Sequence, residues 1–123
     1  MGKWKKSSDA LLSLHAELAS AYPCVNRPMF GCQVFFVNGN MFTGTYEDGI
    51  TLRLSGEDQT RIIAQEDEIA PFSPMRKPMK KYVLVPEHLL SRKEFVRYWM
   101  NRSFRYAASL PPKAKKGKAE ERS

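Results

Sequence analysis

Apolar residues recur along this chain at two spacings. Leu11, Leu14, His15, Leu18 and Tyr22 mark one face of a helix that Ser7 or Ser8 can cap and Pro23 stops. From Cys32 to Val37 the spacing changes. Val34 and Phe36 alternate with Phe35 and Val37, so both faces are apolar and an interior strand is predicted. Asn38-Gly39 follows, and these residue types best tolerate the two positive φ angles of a type I′ turn. Met41 to Tyr46 then returns, Glu47-Asp48-Gly49 turns again, and Ile50, Leu52 and Leu54 alternate with Thr51 and Arg53. Three antiparallel strands are expected.

Ser55 with Asp58 resembles a capping box ahead of a helix with Ile62 and Ile63 on its buried edge and its acids outward. Pro71 and Pro74 leave room only for a short strand or sheet edge around Phe72 and Met75. Lys80 to Val85 alternates once more, with Lys81, Val83 and Val85 opposite Tyr82 and Leu84, before Pro86 opens a helical region. Ser91 and Glu94 form an S-x-x-E box before a last amphipathic helix carrying Phe95, Tyr98, Trp99, Arg102 and Tyr106, which Leu110-Pro111-Pro112 ends. The fold class is α+β, with an antiparallel sheet of about five strands in the order α-β-β-β-α-β-β-α and helices packed on it.

With 123 residues and 42% hydrophobic content, one core is expected: a basic extension over 1–7, a single domain over 8–110 and a disordered basic tail over 111–123. The opening MGKWKKSSDA does not read as a secretory signal, and no run approaches the roughly 20 apolar residues of a spanning helix. A soluble, cytoplasmic protein with no membrane association is expected. Cys24 and Cys32 fit neither a redox pair nor a zinc pair and are read as reduced, largely buried thiols. His15 and His88 each stand alone, so no metal and no cofactor is expected.

The net charge of +7 is uneven. Residues 27–70 hold only Arg27, Arg53 and Arg61 against seven carboxylates, whereas 71–85 hold Arg76, Lys77, Lys80 and Lys81 and no acid. Arg92, Lys93, Arg97, Arg102 and Arg105 continue the excess along the last helix.

Arg27-Pro-Met-Phe-Gly31, an apolar strand, a turn and Met41-Phe42 are followed by Pro71-Phe72, Lys77-Pro78-Met79, Tyr82, Val85-Pro86 and a terminal helix with Trp99. This order resembles the TfoX N-terminal domain family over about residues 8–108. The resemblance implies a curved antiparallel sheet with helices packed on it, similar to the secretion-chaperone-like folds. It also implies kinship with bacterial regulators of natural competence, co-activators at promoters beside the cyclic-AMP receptor protein. Those regulators carry a second domain, and this chain resembles the stand-alone members.

The resulting expectation is a non-enzymatic regulatory or interaction module. It would bind a protein partner and contact nucleic acid through Arg76, Lys77, Lys80, Lys81, Arg92, Lys93, Arg97 and Arg105, each phosphate contact adding salt-dependent affinity. The competing reading of those residues is a solvated face balanced by the acidic helix. The alternative function is a sensor or adaptor that takes a small ligand or peptide between sheet and helices. Arg27 is the candidate anion contact, or else a structural ion pair. Met29, Phe30, Gly31, Met41, Phe42 and Tyr82, the family motif, are read as structural. Lys3, Trp4, Lys5 and Lys6 could grip a strand by charge and stacking, or fray as a terminus. No elbow, P-loop or zinc-protease motif is present, so no catalytic residues are assigned.

Overall fold

In the computed structural model, which describes residues 7–27, 32–73 and 79–112, helix α1 (Asp9–Ala19) starts where the hydroxyl of Ser8 accepts the N–H of Leu11 at 3.1 Å. That bond satisfies one of the orphan donors of the first turn. Leu11, His15 and Ala19 form the buried edge of α1. Strands β1 (Val25–Asn26), β2 (Val34–Val37), β3 (Asn40–Tyr46) and β4 (Gly49–Arg53) follow as an antiparallel meander. Helix α2 (Gly56–Gln65), β5 (Ala70–Pro71), β6 (Tyr82–Val85), a 3₁₀ stretch (Glu87–Ser91) and helix α3 (Lys93–Ser109) complete the order among the described residues.

The six described strands form one sheet in the order β1-β2-β3-β4-β6-β5. The class expected from sequence holds, with one strand more than expected at the β1 edge. Asn38 and Gly39 take φ of 53° and 79°, so the β2–β3 hairpin closes with the two left-handed residues its sequence requires. The register shifts between Phe35 and Phe36, which makes Phe42 the extra residue of a bulge. Cross-strand partners Phe35 and Thr43, Thr43 and Leu52, Leu52 and Val83, and Ile50 and Val85 place these side chains on one face. That face, with Leu11 of α1, Ile62 of α2 and Trp99 of α3, forms a single core. Each large side chain fully buried there contributes about 1.5–3 kcal/mol.

Three expectations need correction. Ser91 does not cap α3: its hydroxyl donates to the carbonyl of His88, and Arg92 occupies the cap position without a side-chain bond. The buried face of α3 is Val96, Trp99, Met100, Ser103 and Ala107, so of the five residues read as its apolar stripe only Trp99 is fully buried, and Tyr98 is 52% exposed. At Ser103 and Ala107 small residues are buried where the helix lies close on the sheet. Ser103 Oγ donates to the carbonyl of Phe42 at 2.6 Å and accepts the N–H of Arg53 at 3.1 Å. Finally, the acids of α2 do not all lie outward. Asp58 is 3% exposed, and its two carboxylate oxygens accept Nε and Nη2 of Arg102 at 2.8 and 3.0 Å.

Gly49 shows how tightly β4 and β6 approach. A Cβ there would sit 2.5 Å from the carbonyl oxygen of Val85 and 3.3 Å from a methyl of Leu84. Backbone cannot yield as a flexible side-chain tip can. Gly49→Ala is expected to cost about 1–3 kcal/mol through this overpacking, and a urea titration that leaves the midpoint unchanged would refute the close approach.

Candidate functional site

Met29, Phe30 and Gly31, Arg76 and Lys77 with Met75, the opening Lys3 to Lys6 with Trp4, and the tail from Lys113 lie outside the described residues. The remaining candidate residues do not share one place.

Arg27 is exposed beyond β1, where its N–H donates to the carbonyl of Val34 at 2.7 Å and its guanidinium stands 5.7 Å from the centre of the Phe36 ring. Among the described residues Arg27 enters no ion pair, and the contact it makes there is this cation–π one. Phe42 is fully buried and Met41 half-buried. Tyr82, buried in β6, donates its hydroxyl to the carbonyl of Met41 at 3.3 Å, reaching across β4, and the Arg53 guanidinium stands 5.7 Å from its ring centre. Burial pushes its phenol above the ordinary range, with Arg53 opposing the shift.

The basic residues of the C-terminal half do not form one ridge. Arg92 pairs with Glu66 at the end of α2, and its guanidinium covers the Phe95 ring at 4.6 Å. Arg102 is committed to Asp58, which raises its already high pKa through the hydrogen bonds and the charge. Lys80 and Lys81 stand just before β6, and Arg105 stands on α3. The N–H of Leu54 donates to the carbonyl of Lys81 at 3.0 Å, and Ser55, the next residue, lines a hollow of about 240 Å³ with Asp58, Arg102, Arg105 and Tyr106. Lys93 and Arg97 stand elsewhere. They border a groove of about 370 Å³ between α1 and the N-terminal half of α3. Lys80, Lys81, Lys93, Arg97 and Arg105 are all exposed, and among the described residues none of them enters an ion pair.

The split follows from helical geometry. At about 100° per residue, Arg102 and Lys93–Arg97 fall on opposite flanks of the buried edge of α3, and Arg105 points outward between them. A sequence wheel could have found this only with the buried face correctly phased. A third cleft, of about 460 Å³, has the opposite character: Glu47, Asp48, Glu68 and Glu87 line it with His88. His88 pairs with Glu68 there at 2.5 Å.

The other histidine is internal. His15 is 0% exposed and its Nε2 lies 3.0 Å from Thr43 Oγ1, whose own proton goes to the carbonyl of Thr51 at 2.7 Å. The threonine oxygen can therefore only accept from His15, which fixes the Nε2–H tautomer and leaves Nδ1 buried without a partner. Burial lowers its pKa from 6.5 to about 4. Cys32 is buried, whereas Cys24 is only half-buried, with its thiol 3.6 Å from the carbonyl of Ala19 and its pKa raised by burial. Among the described residues no three His, Cys, Asp or Glu side chains are grouped to hold a metal ion, and no helix is long and apolar enough to cross a membrane.

Comparison with known proteins adds one match. The sequence model of a protein family, described as the TfoX N-terminal domain, matches residues 16–107 of the 123. No curated protein and no solved structure matches the chain.

Proposed function

The chain belongs to the TfoX N-terminal domain family, and on that premise we propose that it is a bacterial, cytoplasmic regulatory module that acts by binding, joining a protein partner to nucleic acid. The observation that carries this reading is that Lys80, Lys81 and Arg105 are exposed and, among the described residues, enter no ion pair, whereas Arg92 and Arg102 are both matched. Exposed, unpaired cations suit a phosphate backbone because their release of counterions drives association. The buried, neutral His15 and the exposed His88–Glu68 pair are engaged in contacts of their own, so the reading needs no catalytic step.

Titration of random-sequence duplex DNA at several salt concentrations tests it. Three phosphate contacts predict that log affinity falls with log salt at a slope of about −3, and that Arg105→Glu reduces the slope by about one. A flat dependence would sink the nucleic-acid part. A second reading, an adaptor that takes a peptide, draws support from the groove between α1 and α3, whose lining is mainly apolar.

A further inference from the structure

The apolar surface of α1 is wider than the sheet uses. Leu11, His15 and Ala19 face the core, while Leu14, Leu18 and Tyr22 form a second, half-buried stripe on the neighbouring side. That stripe is turned toward α3. The two helices meet where the Tyr22 and Phe104 rings stack at 4.7 Å, and between them, toward the start of α3, the groove of about 370 Å³ lies open. Leu90 and Met100 complete its floor, and Lys93 and Arg97, four residues apart and unpaired among the described residues, stand along its α3 rim. Glu17 stands on the α1 rim.

We propose that this groove receives an acidic amphipathic helix of a partner protein, with aliphatic side chains seated on Leu14, Leu18 and Met100 and carboxylates paired with Lys93 and Arg97. The inference rests on the reading of the chain as an interaction module and names the class of its protein partner.

Size, wall geometry and charge each favour that occupant. A cavity of about 150 Å³ left by a deleted core side chain accommodates a benzene-sized group, so 370 Å³ takes two large aliphatic side chains, the number a helix presents at i and i+4. Both walls are built mainly from helices and neither is a sheet edge, so an extended peptide would find no ladder to join, whereas a third helix can lay its ridges between theirs. Two cations on one rim call for acids along one edge of the ligand. Glu17 on the other rim rejects acids on both edges, which sets the orientation of the helix and disfavours a nucleic-acid strand, whose phosphates would also lie over leucine and methionine.

The test uses the full chain and a fluorescein-labelled peptide of about four helical turns, with leucine at i, i+3, i+4 and i+7, glutamate along one edge and glutamine elsewhere. Saturable anisotropy is expected, and a peptide with lysine in place of glutamate should bind at least about tenfold more weakly. Arg97→Glu should reverse that preference. Ala21→Trp, which places an indole in the groove from an exposed position on its edge, should abolish binding while far-UV circular dichroism and the melting temperature stay at wild-type values. Arg105→Glu should leave peptide affinity unchanged while it lowers the salt slope for DNA, so the groove and the nucleic-acid surface can fail separately.

Three results would overturn the assignment. The first is absence of saturation, or equal affinity for the acidic and basic peptides. The second is a dimer in sedimentation that Ala21→Trp dissociates, which would seat a second copy in the groove. The third is binding of decanoate without binding of the peptide, which would make the site one for a small amphiphile.

Discussion

Phe42→Ala is expected to destabilise the domain by about 3–5 kcal/mol, the ordinary cost of emptying a large aromatic site in a core. Phe42 is fully buried at the β3 bulge, edge-on to Phe104 at 5.4 Å and to Tyr22 at 6.3 Å. Its ring thus supports the contact at which α1 meets α3, and its carbonyl holds Ser103. A small domain has only about 5–15 kcal/mol in total, so the loss is a large fraction of what keeps it folded. The effect should appear in a urea titration as a lower midpoint at unchanged slope. Phe42→Leu, which keeps most of the volume, should recover much of it. Equal midpoints for wild type and Phe42→Ala would show that the helices hold their places without the ring.

Acidification should weaken the fold through His15. Above pH 6.5 the imidazole is neutral in both folded and unfolded chains and contributes no pH dependence. Between pH 6.5 and about 4 the unfolded chain takes up a proton that the folded one refuses, so stability falls as pH falls. Spread over that interval, the loss amounts to about 3 kcal/mol, and it stops once the folded chain also protonates. Other groups titrate nearby, so the informative quantity is the difference between wild type and His15→Gln, whose amide N–H can still reach Thr43. That difference should change with pH only in this interval. A difference that stays constant from pH 7 to 4 would mean that His15 is not held neutral.

Much of this fold is readable from the residues because local chemistry and tertiary packing agree. Asn38-Gly39 demanded a left-handed turn and obtained it, and Ile50, Leu52 and Leu54 are buried as their alternation implied. The half-exposed strand that Thr51 and Arg53 suggested is not found: Thr51 is buried as well, its hydroxyl bonded to the carbonyl of Gly44. The short strand expected near Pro71 is present as β5. Strand β1 escaped because two exposed residues carry no periodic signal; only pairing with Phe35 and Phe36 defines them. On α3, side-chain size misled. Aromatic rings at Tyr98 and Tyr106 suggested a stripe, yet the sheet selects Ser103 and Ala107 because short side chains permit close approach. Burial of Asp58 was equally out of reach, since it depends on an arginine 44 residues later in the chain. The groove was the least legible feature. It lies between α1 and α3, and neither helix encodes alone how the other is placed against it.

The pairs Asp58–Arg102 and Glu66–Arg92 have a joint consequence. They tie the start of α2 to the middle of α3 and the end of α2 to the residue that precedes α3, so the two helices run in opposite directions, with α2 held at both of its ends. Helix α2 is in effect a covalently attached counterion. It cancels the positive charge on one flank of α3 and leaves Lys93 and Arg97 uncancelled on the other, which gives a nearly uniform row of bases a direction. An acidic molecule drifting toward α3 is therefore drawn to the bases left unpaired, Lys93 and Arg97 on the groove side and Arg105 on the outer side, and away from the flank that α2 has neutralised, before any contact forms.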